Sequence, residues 1–191
     1  MIDVIEVDGL LDKLETLEPG SAIALKFDIE SYFDVITTIT DDFVDEKSMK
    51  VIYETSTIPA DSILELLKAL EVSMDPINFV DAVSYMTMGV AGKSTGVTFV
   101  ESPTMLENIM LKIEYLLKKH PAEQNTVVLD SINSLAIHND NKILAEFLHI
   151  LISSLRSYDC YTIILSVSEQ ESEEIDNILA MVCDDIIEVS S

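Results

Sequence analysis

Short apolar segments of strand length alternate along the chain with longer segments that have the period of an amphipathic helix. Several of the short segments, such as Thr126–Asp130 and Tyr161–Ser166, are almost continuously apolar rather than alternating. This is typical of strands that helices cover on both faces of a sheet. The predicted strands are residues 21–27, 49–53, 77–81, 126–130, 161–166 and 185–189. The predicted helices are residues 8–18, 29–46, 59–70, 102–119, 139–157 and 171–181.

The regular alternation predicts an α/β fold with a doubly wound, mostly parallel sheet and helices on both faces. Residues 83–101 interrupt the alternation with three glycines, and they predict an irregular loop or a hairpin. The chain has only 5 Gly and 5 Pro and no low-complexity linker, so residues 1–191 are predicted to form one domain. Ligand sites in such sheets lie beyond the carboxyl ends of the strands.

The charge balance is strongly acidic, with 35 Asp and Glu against 11 Lys and Arg and a net charge of −24. Arg156 is the sole arginine. Such a chain repels phosphate backbones and anionic lipid headgroups, which argues against nucleic-acid and membrane partners. A basic protein partner fits the charge, and so does a role in solubility alone.

The sequence also bears on the cellular compartment. The N-terminal residues carry acids throughout and do not resemble a signal peptide, and no apolar segment approaches the ~20 residues that span a bilayer. Cys160 and Cys183 lie beside apolar runs, as two buried free thiols would. The sequence therefore predicts a cytoplasmic protein.

Four segments occur in the order that is typical of one known family. Asn125–Leu135, with Asp130-Ser131 after an apolar strand, resembles a Walker B strand. Met49–Pro59 resembles the strand that carries the family's catalytic glutamate, Leu155–Leu165 resembles the helix end and strand that follow Walker B, and Ala180–Val189 resembles the closing strand. The chain thus resembles the RecA superfamily, and within it the KaiC-like archaeal and bacterial ATPases.

The resemblance fails at the family's phosphate-binding loop, G-x-x-x-x-G-K-[ST], which should follow the strand ending at Phe27. No Gly or Lys occurs between Phe27 and Asp34, and Asp28, Glu30 and Asp34 bring negative charge instead. A phosphate cradle needs glycines for its turn and a lysine for the terminal phosphates. The family's glutamate is also displaced, because Ser56-Thr57-Ile58 precedes Pro59 and Glu54 is out of register.

Gly92-Lys93-Ser94 is the chain's Gly-Lys-Ser sequence, but it does not complete the motif. The first glycine of a phosphate loop would fall at position 87, which is Thr87, and the residues after Ser94 are β-branched and broken by Gly96 rather than helical. The alternatives are a surface loop or hairpin, which we favour, and an unusual phosphate site.

The resemblance implies that Asp130, followed by Ser131, keeps the position that holds nucleotide-bound Mg²⁺ in active relatives. Asp28, Glu54 and Asp81 are predicted at the same edge of the sheet. Together they would form a divalent-cation site of hard oxygen ligands. The alternative is a remnant carboxylate that is hydrogen-bonded within the protein. The three histidines have no zinc-ligand spacing.

Two functions remain open from the sequence. The first is a regulatory or scaffold domain, a degenerate ATPase without a cofactor, that acts by contact with a protein partner or as a homo-oligomer. The second is an ATPase-type activity with ATP and Mg²⁺, or another metal-dependent activity, through an unusual site at the carboxyl edge. No catalytic residue is assigned under the first.

Overall fold

The computed structural model describes residues 3–89, 94–119, 121, 123–170 and 172–190. Within them, eight strands form one sheet in the order β1-β8-β2-β7-β6-β3-β4-β5, and every neighbouring pair is parallel. The strands are β1 Asp3–Glu6, β2 Ala22–Phe27, β3 Lys50–Thr55, β4 Ile77–Asp81, β5 Val97–Phe99, β6 Asn125–Asp130, β7 Tyr161–Val167 and β8 Asp185–Ser190. The α/β fold predicted from the sequence is confirmed.

The connections between strands are helical. The α-helices are α1 Leu10–Glu15, α2 Tyr32–Thr37, α3 Val44–Lys47, α4 Ala60–Ala69, α5 Ser84–Met88, α6 Leu106–Lys119, α7 Ile132–His138, α8 Asn141–Arg156 and α9 Glu173–Val182. A π-helical turn, Thr38–Phe43, joins α2 to α3. Short 3₁₀ turns cover Val7–Gly9, Ile29–Ser31 and Ser168–Gln170.

The sheet separates two hydrophobic cores, because successive side chains of a strand point to opposite faces. On β3, Val51 and Tyr53 belong to the core that also holds buried side chains of α1, α2 and α4. Ile52, the residue between them, belongs to the core that holds α6, α7, α8 and α9. Central strands such as β6 and β7 are buried at every position, which explains their continuous apolar sequence.

Two predictions for residues outside the central strands need correction. The predicted irregular loop or hairpin at residues 83–101 contains, among its described residues, α5 and then β5, and β5 pairs with β4 in parallel rather than as one arm of a hairpin. The predicted N-terminal helix at residues 8–18 is shorter, since α1 covers Leu10–Glu15 and a 3₁₀ turn precedes it. The edge strand β1 was not predicted at all.

Both cysteines are free thiols, as predicted, although Cys160 is fully buried and Cys183 only partly. In the part of the chain that the structure describes, no helix combines the length and apolarity that crossing a bilayer requires.

Candidate functional site

The carboxyl ends of β2, β6, β3 and β4 lie at the same edge of the sheet, where the sequence placed the candidate site. After β2 the backbone stays extended at Asp28 and then enters a 3₁₀ turn that leads directly into α2. None of the residues with positive φ in the described chain lies between Phe27 and Tyr32. Backbone N–H groups form an anion-binding nest when right-handed and left-handed residues alternate, and this segment has no such alternation.

Tyr32, in the first turn of α2, points inward and is only 4% exposed. Its hydroxyl donates a short hydrogen bond to Oδ2 of Asp130 at the end of β6. The ring also lies against Phe27, with the ring centroids 6.2 Å apart. The side chain of Tyr32 therefore ties the segment after β2 to the Walker B-like strand.

Tyr53 on β3 makes the second contact to the same carboxylate oxygen, with its hydroxyl 2.7 Å from Oδ2 of Asp130. Burial raises the pKa of both Tyr32 and Tyr53, and the negative charge of Asp130 raises it further. Both phenols therefore stay protonated near neutral pH and act as donors. The three residues form a buried cluster, which we call the Asp130 cluster.

Asp130 is completely buried. Its Oδ2 accepts both tyrosine hydroxyls, whereas Oδ1 has no hydrogen-bond partner among the described residues. Burial raises the pKa of the carboxyl group, and the tyrosine hydrogen bonds act in the opposite direction. The peptide bond between Asp130 and Ser131 is cis.

Ser131 has a structural contact of its own at the start of α7. Its Oγ accepts the backbone N–H of Ser134 at 3.3 Å, as an N-cap residue does. The hydroxyl of Thr57 donates to the same oxygen at 3.4 Å. These contacts use Ser131 to fix the helix that follows β6.

Glu54 follows Tyr53 on β3, so its side chain points to the opposite face of the sheet. It is fully buried, and neither carboxylate oxygen has a hydrogen-bond partner among the described residues. Burial raises the pKa of Glu54 well above its ordinary value, and the charges of Asp130 and Asp81 raise it further. Glu54 is therefore a buried acid that favours its neutral form.

Asp81 at the end of β4 is buried but fully hydrogen-bonded. Oδ2 accepts the N–H of Ala60 at 2.8 Å and the hydroxyl of Ser84 at 2.6 Å. Oδ1 accepts the N–H groups of Val83 at 3.0 Å and Ser84 at 2.8 Å. Four hydrogen bonds thus use the carboxylate to hold the starts of α4 and α5 together.

Asp28 is exposed at the start of the segment after β2, whereas Glu54, Asp81 and Asp130 are buried. Asp28 therefore differs from the other predicted edge acids in its exposure to solvent. The described residues contain no group of three or more His, Cys, Asp or Glu side chains arranged to hold a metal ion.

In the alternative phosphate loop, Gly92 and Lys93 lie outside the described residues. The hydroxyl of Ser94 donates a short hydrogen bond to the Asp61 carboxylate on α4. Ser94 therefore lies beside an acid in the described structure.

Sequence reasoning missed Tyr32 and Tyr53, the two residues that complete the Asp130 cluster. The sequence offered only the positions of these two tyrosines as a signal. Tyr32 lies where a phosphate loop would lead into its helix, and Tyr53 is two residues before the end of the strand that pairs with β6.

The parallel sheet and its strand order form a RecA-like fold. Among solved structures, the chain is similar to a KaiC-like protein from the hyperthermophilic archaeon Pyrococcus horikoshii. The TM-score is 0.62 at 15% identity, over 90% of this chain and 72% of that protein.

Two other solved structures show the same fold. The flagellar accessory protein FlaH from Methanocaldococcus jannaschii matches with a TM-score of 0.60 at 12% identity, over 96% of this chain and 77% of that one. An uncharacterized Pyrococcus horikoshii protein in complex with an unknown peptide matches with a TM-score of 0.71 at 11% identity, over 96% and 84%. No family model and no curated protein matches the sequence.

Proposed function

We propose that this chain is a RecA/KaiC-like domain that does not hydrolyse ATP and that acts in the cytoplasm through contacts with a protein partner, as a regulator or scaffold. The observation that carries the proposal is the hydrogen bond from Tyr32 to Asp130. In this account an aromatic side chain from the segment after β2 occupies the side of Asp130 that faces the phosphate position in an active relative.

The charges around the segment after β2 support the same conclusion. Asp28, Glu30 and Asp34 are all exposed there, and the segment has no lysine. Two like unit charges about 4 Å apart repel by about 1 kcal/mol in water and by several-fold more in a partly buried site. The triphosphate of a nucleotide would meet this repulsion without the N–H groups of a phosphate loop to offset it.

The net charge of −24 favours a protein partner over nucleic acid or an anionic membrane, because both of these would be repelled. Association of two copies of the chain would bring two strongly negative surfaces together, and their repulsion disfavours a homo-oligomer.

A second candidate function keeps an ATPase-type activity at the same edge. Its support is that Oδ1 of Asp130 and both oxygens of Glu54 lack hydrogen-bond partners among the described residues. A rotation of Tyr32 away from Asp130 would let Asp130 hold Mg²⁺ with a nucleotide. The two functions differ in whether Tyr32 leaves the Asp130 cluster.

The test is phosphate release from Mg·ATP by the purified chain and by its Asp130→Asn variant. We expect no release above the rate without protein, because Asp130 has no phosphate loop to act with. A rate that the wild type shows and Asp130→Asn abolishes would overturn the proposal. A rate that is equal in both proteins and that separates from the chain on further purification comes from a contaminant. Asp45→Asn, which alters an exposed acid, is the control for the substitution itself.

A further inference from the structure

A groove of about 840 Å³ lies outside the Asp130 cluster, on the sheet face that α1, α2 and α4 cover. Apolar side chains contributed by three separate elements line it, namely Leu11 of α1, Phe33 of α2 and Leu70 at the end of α4. Phe33 is 49% exposed and Leu70 is 46% exposed. Large apolar side chains that share an exposed concave surface are a feature of protein-binding sites.

The charged side chains that line the groove are all acidic. Asp8, Glu30, Asp34 and Asp42 line it, and no Lys or Arg is among its described lining residues. An apolar floor with carboxylates around it complements a segment with apolar side chains on one face and cations beside them. The exposed ring of Phe33 also offers a face for a lysine or arginine.

The groove is held in place by the same segment that completes the Asp130 cluster. Tyr32 is fixed by its hydrogen bond to Asp130, and the ring of Phe33 lies edge-on against Tyr32 with the centroids 5.5 Å apart. The π-helical turn that follows carries Asp42, and such turns are frequent at functional sites. A contact surface that is ordered before binding loses less conformational entropy when the partner arrives.

We propose that this groove docks a cationic, amphipathic segment of a protein partner. Its apolar side chains would pack on Phe33 and Leu70, and its lysine or arginine side chains would pair with the four carboxylates. The inference rests on the proposed function, because it names the kind of partner that a non-hydrolysing domain would contact. Charge argues against a second copy as the occupant, since each copy carries −24.

The probe is a fluorescein-labelled amphipathic helix of leucine and lysine, titrated by anisotropy at physiological salt. Its control is a peptide of the same composition whose sequence is scrambled so that it has no apolar face. We expect saturable binding of the amphipathic peptide with one site per chain, and binding of the scrambled peptide that is about tenfold weaker or more. Equal affinity for both peptides would overturn the proposal, because attraction by net charge alone would then explain the binding.

Variants locate the site. Phe33→Ala and the pair Asp34→Asn with Asp42→Asn should each weaken binding of the amphipathic peptide by about tenfold. The matched pair Glu173→Gln with Glu174→Gln removes the same two charges from exposed positions on α9, across the sheet, and should change affinity by less than about twofold. Equal losses of peptide affinity in the two double variants would contradict the proposal. Circular dichroism of each variant confirms that it is folded.

Sedimentation velocity tests whether a second copy of the chain occupies the groove instead. A dimer of the wild type that Phe33→Ala abolishes would assign the groove to a second copy and overturn the proposal. Failure of the docking proposal is separate from failure of the proposed function, because phosphate release from Mg·ATP is measured without any peptide.

Discussion

Replacing both Tyr32 and Tyr53 with phenylalanine should lower the free energy of unfolding by about 2–5 kcal/mol, because a buried acceptor that loses one donor costs about 1–3 kcal/mol and two donors are lost here. Both hydroxyls donate to Oδ2 of Asp130, and Oδ1 has no partner in the described chain. The double variant therefore leaves a fully buried carboxyl group with no side-chain donor from the Asp130 cluster. The measurement is urea-induced unfolding at neutral pH.

The single variants should each cost about 1–3 kcal/mol, as expected for a buried acceptor that loses one of its donors. Because the two tyrosines share one acceptor, the double variant should differ from the sum of the single variants, and a double-mutant cycle measures that difference. Tyr115→Phe removes a hydroxyl from an exposed side chain and should stay within about 0.5 kcal/mol of the wild type. A double variant that costs less than about 1 kcal/mol would mean that the Asp130 cluster does not form in solution.

Glu54→Gln should stabilise the protein at pH 8 by about 1.4 kcal/mol or more, the equivalent of one pKa unit, because the wild type must bury an ionised carboxylate or bind a proton in order to fold at that pH. The pKa of Glu54 is raised well above its ordinary value of 4.5, chiefly by burial. The folded chain therefore binds this proton more tightly than the unfolded chain does. Glu54 contributes its full stability below about pH 4.5, and that contribution is lost as the pH rises toward the folded-state pKa.

Glutamine keeps the approximate shape of the protonated acid without its ionisation. The stability advantage of Glu54→Gln should therefore be largest at pH 8 and shrink as the pH falls toward 4.5, the ordinary pKa of the group. Glu65→Gln, on the exposed surface of α4, is the matched control and should show no such pH-dependent advantage. Chemical unfolding of the three proteins at several pH values measures the difference. Parallel curves for the wild type and Glu54→Gln would show that Glu54 is not buried as described.

The central sheet could be predicted from the sequence because its strands are buried on both faces. In β6 and β7 every position is buried, so their sequences do not show the alternation of apolar and polar residues that is typical of a strand with one face in solvent. The edge strands lacked this signal. In β1 the exposed and partly exposed positions alternate over four residues, two of them acidic, and β5 has only three residues. Both owe their structure to pairing with β8 and β4, which local sequence does not encode.

For the site, the sequence located the acids along the chain but not their surroundings. Asp130 and Asp81 end their strands as predicted, yet Asp81 is saturated by N–H and hydroxyl donors from the residues that open two helices. The partners of Asp130 are 98 and 77 residues away along the chain. A tyrosine in α2 has no local feature that shows which carboxylate it will contact, because that contact depends on the order of β2, β7 and β6 in the sheet.

The proposed loss of the phosphate loop leads to a direct expectation for nucleotide binding, which does not depend on any partner. A ligand that binds only the folded chain stabilises it by about 2.7 kcal/mol when its concentration is 100 times its dissociation constant. For a chain of this length that corresponds to a rise in melting temperature of about 5–11 °C.

The most direct measurement of the central claim is therefore the melting temperature of the wild-type chain with increasing Mg·ATP, up to about 5 mM, with MgCl₂ and sodium triphosphate as controls. Tyr32 and the surrounding acids predict no change beyond that seen with the controls. A saturable rise of about 5 °C or more that Mg·ATP produces and Asp130→Asn removes would contradict the account, because it would show that Asp130 still holds a nucleotide.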